Sequence, residues 1–118
     1  MGRLTTHVLD TASGKPAENL LVRLVRVNEG NARVIVCEMQ TNQDGRTDKP
    51  LLENSLFRSG TYELSFQVDE YFTRTAHSLS EPTFYDVITL RFTIVHEDEN
   101  YHVPLLVSQW SYSTYRGS

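Results

Sequence analysis

The chain has 118 residues, of which 39% are hydrophobic and 22% charged, with only four prolines and six glycines. This composition excludes a disordered or fibrous protein. It predicts a single globular domain over residues 1–118, able to bury about two thirds of the unfolded chain's surface. The net charge is −4 and the eleven basic residues are scattered, which argues against a nucleic-acid partner. No segment approaches the roughly twenty apolar residues needed to cross a bilayer, so no membrane association is expected.

Runs rich in β-branched and aromatic residues, several of them alternating in period two, predict strands with one buried face. The first run is Leu4–Leu9, which ends at a turn punctuated by Gly14 and Pro16. Leu20–Val27 and Arg33–Thr41 follow, and the polar loop between them predicts a β-hairpin. We therefore expect three strands before residue 42.

A sharp turn follows the third predicted strand, because Asp44-Gly45 is one of the strongest turn dipeptides. Arg46 comes directly after that turn. Residues 49–59 predict only a short, irregular edge, whereas Thr61–Val68 alternates cleanly. The inward set of this strand is Tyr62, Leu64, Phe66 and Val68, or the complement of that set.

The last part of the chain contains the one predicted helix, Asp69–His77, with Asp69 as a possible N-cap. The longest predicted strand, Tyr85–Val95, comes next, and an acidic loop separates it from Tyr101–Val107. The final run is Ser111–Arg116. Seven or eight short strands with one small helix predict an all-β fold, a two-sheet antiparallel β-sandwich.

Two single residues carry structural expectations of their own. Pro104 interrupts a strand pattern, and because proline has no N–H to donate, it predicts an edge position or a bulge. Cys37 lies in an apolar run, so we expect a buried, inert thiol. A single cysteine cannot form an intramolecular disulfide, and a strand-like pattern stands where a signal peptide would be apolar. We therefore expect a cytoplasmic protein, with the reservation that a cleaved leader would be invisible.

The four histidines are natural candidates for acid–base chemistry near neutral pH. His7 and His102 lie in otherwise apolar strands, whereas His77 and His96 lie in polar segments and are expected at the surface. A single strand histidine is structural or solvated about three times as often as it is catalytic. The histidine spacing fits no zinc site, and the sequence has neither a Gly-x-Ser-x-Gly elbow nor a Gly-rich phosphate loop. These patterns alone predict a β-sandwich with two notable histidines.

Three segments are informative together: the C-terminal stretch Tyr101–Ser118, the first strand and turn Leu4–Ala17, and the Asp-Gly-Arg turn Thr41–Arg46. They resemble the corresponding segments of one family, the 5-hydroxyisourate hydrolases, also called transthyretin-related proteins. Their order and spacing match over the full length of the chain, which makes the resemblance specific. It implies a transthyretin-like domain whose subunits pair edge to edge. Two such dimers would then pack into a homotetramer with its sites at the dimer–dimer interface.

The family divides into hydrolases and transthyretins, which bind thyroid hormone and lack the catalytic groups. His7, Arg46 and His102 stand at hydrolase-type positions, so the resemblance implies the hydrolase. The implied catalytic residues are His7, Arg46, His102 and Ser118, and the implied substrate-binding residues are His7, Arg46 and Tyr115. The implied reaction converts 5-hydroxyisourate to 2-oxo-4-hydroxy-4-carboxy-5-ureidoimidazoline in urate degradation. Neither a cofactor nor a metal is expected.

The residue types allow a division of roles. One histidine would activate water while the other orients water or protonates the leaving nitrogen, and which of the two is the base stays open. Arg46 would hold the substrate and the developing oxyanion. Tyr115 and Ser118, through hydroxyls and the terminal carboxylate, would fix the ring and a histidine tautomer. Arg116 is equally well explained by an interface salt bridge or by a functional role.

The chain departs from the family pattern at a few positions. Hydrolases commonly have a histidine where this chain has Asn100, and a Phe-Pro pair where it has Phe84-Tyr85, and residues 73–81 match poorly. Two other classes remain to be tested. One is a transthyretin-like carrier of a small aromatic ligand, which would bind without turnover. The other is a monomeric immunoglobulin-like module without a pocket.

Overall fold

The computed structural model describes residues 2–75 and 82–118, and within them the chain forms eleven strands and one α-helix. The strands are β1 (Arg3–Thr5), β2 (Val8–Asp10), β3 (Lys15–Pro16), β4 (Leu21–Val27), β5 (Arg33–Gln40), β6 (Leu52–Glu53), β7 (Gly60–Gln67), β8 (Val87–Ile94), β9 (Tyr101–His102), β10 (Leu105–Val107) and β11 (Tyr112–Thr114). The helix, α1, is Val68–Thr75. The predicted all-β class with one short helix is confirmed.

The strands form two layers. One layer is the sheet β5-β4-β7-β8, which is antiparallel throughout. The other is made of two shorter sheets, β6-β1-β9 and β11-β10-β2-β3, which continue into each other because the chain runs directly from β1 to β2 and from β9 to β10. The pairs β1–β9 and β2–β10 are parallel, and the other strand pairs are antiparallel as predicted.

The core lies between the two layers and is filled by alternate residues of the strands. On β7, Tyr62, Leu64 and Phe66 are at most 1% exposed, which selects the inward face of the two that the sequence allowed. Leu4 and Val8 face them from the opposite layer and are 0% exposed. Burial of each such side chain contributes about 1.5–3 kcal/mol, so the period-two pattern is the main source of stability.

The helix closes one end of the sandwich. It begins at Val68, one residue before the predicted start, so Asp69 lies in its first turn and is not the N-cap. The apolar stripe explains the difference, because Val68 and Tyr71 are both buried and share one face only if both are helical. The Tyr71 hydroxyl donates to the buried carboxylate of Asp10 at 2.8 Å, which fastens α1 to β2. The predicted helix end, His77, lies outside the described residues.

Pro104 lies inside a layer, in the break between β9 and β10, so the predicted edge position or bulge is wrong. The neighbouring N–H groups supply the ladder across this break. Val103 donates to the carbonyl of Thr5 and Leu105 donates to that of His7, both at 2.9 Å. The position between these two donors needs no N–H of its own, so proline is tolerated there.

Cys37 is half-buried on β5, less enclosed than expected. Its thiol points to the carbonyl of Leu51 at 3.6 Å, and burial raises the pKa of the thiol above its ordinary value. The thiol therefore stays protonated near neutral pH, which agrees with the predicted inert role. In the described part of the chain, no helix combines the length and the apolar character needed to span a membrane.

Candidate active site

Main-chain pairing brings His7 and Arg46 side by side. The two residues form an isolated antiparallel bridge, and the N–H of Val8 donates to the carbonyl of Gly45 at 2.8 Å. Gly45 has a φ of +73°, and a Cβ there would overlap the carbonyl oxygen of Val8 and lie 3.3 Å from Cδ2 of His7. Only glycine permits this approach, so the Asp-Gly turn is what sets Arg46 against the first strand segment.

The side chain of Asn42 stiffens the turn that carries Arg46. Its Oδ1 accepts hydrogen bonds from the main-chain N–H of Asp44 at 2.9 Å and of Arg46 at 3.3 Å. The main-chain N–H of Asn42 donates to the carbonyl of Arg46 at 2.7 Å. Its Nδ2 donates to the carboxylate of Asp48 at 2.9 Å. The backbone of Arg46 is therefore held on both sides, and only its exposed side chain remains adjustable.

His102 lies at the end of β9, between two segments that hold it from opposite sides. On one side, β9 runs parallel to β1 and places His102 opposite Thr5, whose Oγ1 is 2.8 Å from the imidazole Nδ1. On the other side, His102 and Gly117 exchange main-chain hydrogen bonds of 3.0 and 2.7 Å. The ring is half-buried and its Nδ1 is occupied, which leaves Nε2 for other contacts.

Both imidazoles lie in surroundings that favour the neutral ring. Burial is the main cause that lowers the pKa of His7 below its ordinary value, and the charge of Arg46 lowers it further, against smaller opposing contributions from Asp44. Burial, then Arg46, then His7 lower the pKa of His102. Arg46 is paired with His7, and His102 lies opposite Thr5, two residues before His7, so the structure brings His7, Arg46 and His102 together. Neutral imidazoles at pH 7 can accept a proton or donate an N–H.

A cleft of ≈ 300 Å³ opens beside this group. It is lined by Arg3, Thr5, Thr6, Arg46, Thr47, Asp48, Lys49, Pro50, Asn100 and Ser118. Three cationic side chains against one acidic side chain, Asp48, suit an anionic ligand of small size. The two histidines are not among its lining residues, and Arg46 and Thr5 connect them to it.

The C-terminal residues divide between two places. Ser118 lines the cleft together with Arg46. Tyr115 is 60% exposed and lines a neighbouring cavity of ≈ 330 Å³ between β8 and the C-terminal segment. The structure thus brings Ser118 to the predicted group and places Tyr115 beside it, so the substrate-binding role of Tyr115 stays a prediction.

Arg116 has contacts within its own chain. Its guanidinium lies over the ring of Tyr101, 4.3 Å from the centroid, and it pairs with the carboxylate of Glu99 at 2.9 Å. Both ion-pair partners are about half exposed, so the pair contributes little to stability by itself. Together with the bridge of Gly117 to His102, these contacts attach the C-terminal segment to β9.

The largest of the described cavities, ≈ 430 Å³, lies elsewhere, between α1 and the β2–β3 turn. Its buried carboxylate, Asp10, is already bonded to the hydroxyl of Tyr71 and to the N–H groups of Ala12 and Ser13. We therefore place the candidate chemistry at the smaller cleft, which adjoins two histidines and an arginine. His96 is exposed, as predicted, and His77 lies outside the described residues.

Residues 2–75 and 82–118 contain no cluster of three or more His, Cys, Asp or Glu side chains placed to hold a metal ion. The expected absence of a metal and of a cofactor stays a prediction.

The hydrogen-bonding roles of Asn42, Thr5 and Gly117 at this site were not predicted from the sequence. Asn42 had a local signal, since an asparagine two residues before Asp-Gly is typical of a side-chain-capped turn. Thr5 and Gly117 had no local signal. Thr5 contacts His102 only because strands distant in sequence pair, and Gly117 contacts it only because the C-terminal segment pairs with β9.

The layered fold and the His–Arg–His group at the edge of one layer define a transthyretin-like β-sandwich. The model of the HIUase/Transthyretin family matches residues 4–117, and the chain belongs to this family. A relative from Ralstonia nicotianae, a 5-hydroxyisourate hydrolase, is 52% identical over 118 residues, which are 100% of both chains.

Two solved structures are also similar. The structure of Klebsiella pneumoniae 5-hydroxyisourate hydrolase superposes with a TM-score of 0.80 at 30% identity, covering 100% of both chains. The crystal structure of (S)-allantoin synthase gives a TM-score of 0.92 at 47% identity. That match covers 99% of this chain and 44% of the other, so this chain spans less than half the length of that protein.

Proposed function

We propose that this protein hydrolyses 5-hydroxyisourate to 2-oxo-4-hydroxy-4-carboxy-5-ureidoimidazoline, a step of urate degradation, in the cytoplasm. The observation that carries the proposal is the convergence of three residues, since Arg46 is paired with His7 and His102 lies opposite Thr5, two residues before His7. Burial, and then the charge of Arg46, lower the pKa of both histidines. Relatives of the same length that are named 5-hydroxyisourate hydrolases support the choice of substrate.

The chemistry needs a proton acceptor, an anion-stabilising group and a proton donor. One neutral imidazole, of His7 or His102, takes a proton from water as its oxygen bonds to the amide carbonyl carbon of the six-membered ring. The oxyanion that forms is stabilised by the guanidinium of Arg46, which stays charged at every working pH. The carbon–nitrogen bond then breaks and opens the ring, the nitrogen takes up the proton that the imidazole accepted from water, and the former carbonyl carbon stays on the product as a carboxylic acid. Protons and atoms balance with water as the only other reactant, so no cofactor or metal is needed.

The cleft residues supply binding. The three cations Arg3, Arg46 and Lys49 attract an anionic planar ring, and Ser118 lines the same cleft. The attachment of Gly117 to His102 keeps Ser118 at that place. Tyr115, on the adjacent surface, would contact the substrate from the neighbouring cavity.

We propose that the protein acts as a homotetramer with its sites at the dimer–dimer interface. An exposed aromatic cluster supports assembly, since Trp110 is 70% and Phe84 64% exposed with ring centroids 5.9 Å apart. The cluster lies next to β8 and β11, which are edge strands of their sheets. Exposed edges and aromatic surface of this kind are normally covered by a partner. Analytical ultracentrifugation tests the assembly, and a monomer would contradict it.

The decisive experiment follows the ultraviolet absorbance of freshly made 5-hydroxyisourate with and without the protein. Acceleration that persists in excess chelator is expected, and no acceleration would leave only ligand binding, as in a carrier. Replacing His7 or His102 by Asn should lower the rate about a hundredfold or more while the assembly stays intact. His96→Asn, the same substitution at an exposed histidine outside the cleft, serves as the control.

A further inference from the structure

The contact between the Thr5 hydroxyl and Nδ1 of His102, at 2.8 Å, decides which ring nitrogen of His102 carries the proton. A neutral imidazole has one N–H and one bare nitrogen, and a partner that donates to one nitrogen forces the proton onto the other. We propose that Thr5 donates to Nδ1 and holds His102 in the tautomer protonated on Nε2, so that His102 is a hydrogen-bond donor to the substrate and His7 is the base. This division of roles rests on the proposed hydrolysis, whereas the tautomer does not.

Proton accounting at Thr5 sets the direction of the hydrogen bond. The hydroxyl has one proton to place, and in the described chain its Oγ1 has no hydrogen-bond partner other than Nδ1 of His102. If Nδ1 carried the proton, the hydroxyl proton would have no acceptor in the described chain. Donation from Thr5 to Nδ1 satisfies both groups within the protein. It leaves the N–H of His102 on Nε2.

The ring of His7 has the opposite arrangement. Its Cδ2 would lie 3.3 Å from a Cβ at Gly45, and the main-chain carbonyl of the preceding residue, Asp44, raises the pKa of His7, against burial and Arg46. A carbonyl oxygen can only accept, so the ring nitrogen facing it carries the proton and the other nitrogen is bare. A bare nitrogen is what a base needs to take a proton from water.

The two rings then perform different tasks beside one arginine. His7 accepts the proton of the attacking water, and Nε2–H of His102 joins the Arg46 guanidinium in binding the developing oxyanion. A neutral N–H donor can stabilise an oxyanion without giving up its proton. Thr5 lines the cleft, but its hydroxyl is engaged with Nδ1 of His102, so Thr5 serves this reaction as a positioning residue.

Nitrogen-15 NMR of the ring nitrogens of the assembled protein tests the tautomer without any turnover. The His102 signals are assigned by their loss in His102→Gln, and we expect a protonated Nε2 and a bare Nδ1 in the parent. Thr5→Val should give a mixture of tautomers or the reverse one, while Thr5→Ser should restore the parent pattern. A protonated Nδ1 in the parent, or an unchanged pattern in Thr5→Val, would overturn the proposal even if the protein is an active hydrolase.

Rates test the division of roles. Thr5→Val should lower kcat about tenfold or more with a smaller effect on KM, the loss typical when a group that orients a functional histidine is removed, and Thr5→Ser should recover most of it. Thr11→Val removes a comparable hydroxyl that bonds to the carbonyl of Val107 and should leave kcat unchanged. Glutamine presents an amide N–H near the position of Nε2, so His102→Gln should keep more activity than His7→Gln. The reverse order would assign the base to His102 and refute the division of roles.

Discussion

His102 and Gly117 face each other across an isolated antiparallel bridge, in which each residue donates its N–H to the carbonyl of the other, at 3.0 Å and 2.7 Å. The bridge attaches the C-terminal segment to the strand that ends in His102. It also carries Ser118 to the cleft lined by Arg46. Chain ends normally fray unless they are tied down in this way.

Gly117→Ala should therefore lower activity more than stability. A Cβ at this position would lie 3.1 Å from Cβ and 3.3 Å from Cδ2 of His102, and 3.4 Å from the ring of Tyr115. The neighbours must give by a few tenths of an ångström, and a displacement of this order in an active site can cost up to about a hundredfold in rate. We expect at least a tenfold lower kcat with a melting temperature within a few degrees of the parent's. Gly30→Asn, a loop change at a φ of +70° with open space around it, is the control.

Deletion of residues 115–118 should leave a folded assembly that has lost most of its activity. The deleted segment contributes Ser118 to the cleft and Gly117 to the bridge with His102, but none of its residues belongs to the buried core. Tyr115→Phe, which keeps the bridge, should fall between the parent and the deletion. Rates and sedimentation are measured on the same samples. Full activity in an intact truncated assembly would contradict a catalytic role for this segment.

The strands were predictable because their pattern is local. Alternation over a few residues reports one buried face, and the run Thr61–Val68 predicted β7 with its ends within one residue. The choice between its two faces was not predictable, since it depends on where the opposite layer lies. Pro104 shows the same limit, because the break that accommodates it arises from the parallel pairing of the first and last thirds of the chain.

Local signals also explain how much of the site could be predicted. Arg46 follows an Asp-Gly turn, and that turn is encoded by adjacent residues. The partner of His102 is not encoded by adjacent residues, because Thr5 lies 97 positions away and contacts His102 only through strand pairing. The family resemblance implied His7, Arg46, His102 and Ser118 as site residues. It left the roles of the two histidines open, because the role of each ring depends on its tautomer, and the tautomer is set by hydrogen bonds in the folded protein.

Tyr71→Phe should destabilise the fold by about 1–3 kcal/mol without a direct effect on the cleft. The hydroxyl donates to the buried Asp10 carboxylate at 2.8 Å, and its burial and this bond raise the pKa of Tyr71 well above the ordinary value. Without the Tyr71 hydroxyl, Oδ2 of Asp10 stays buried but loses this hydrogen bond. Urea unfolding measures the loss. Tyr115→Phe, at a hydroxyl that is 60% exposed, is the matched control and should change the free energy of unfolding little.

Burial, together with the charge of Arg46, should set the acid limb of the pH profile. Burial and Arg46 lower the pKa of His7 and of His102 below 6.5, so both rings stay neutral as the pH falls through 6.5 and become protonated only below their lowered values. Activity needs a neutral base and should therefore fall over the same pH range. The stability that the neutral rings contribute is likewise present above pH 6.5 and is lost as the pH falls through the folded-state pKa values.

Arg46→Met removes one cause of the lowering, so proton NMR titration should show the pKa values of both histidines rising toward 6.5. Arg46→Lys keeps the positive charge and should leave them lowered, although it loses the planar fork and hence rate. Equal titration curves for Arg46→Met and the parent would show that the guanidinium does not act on the histidines.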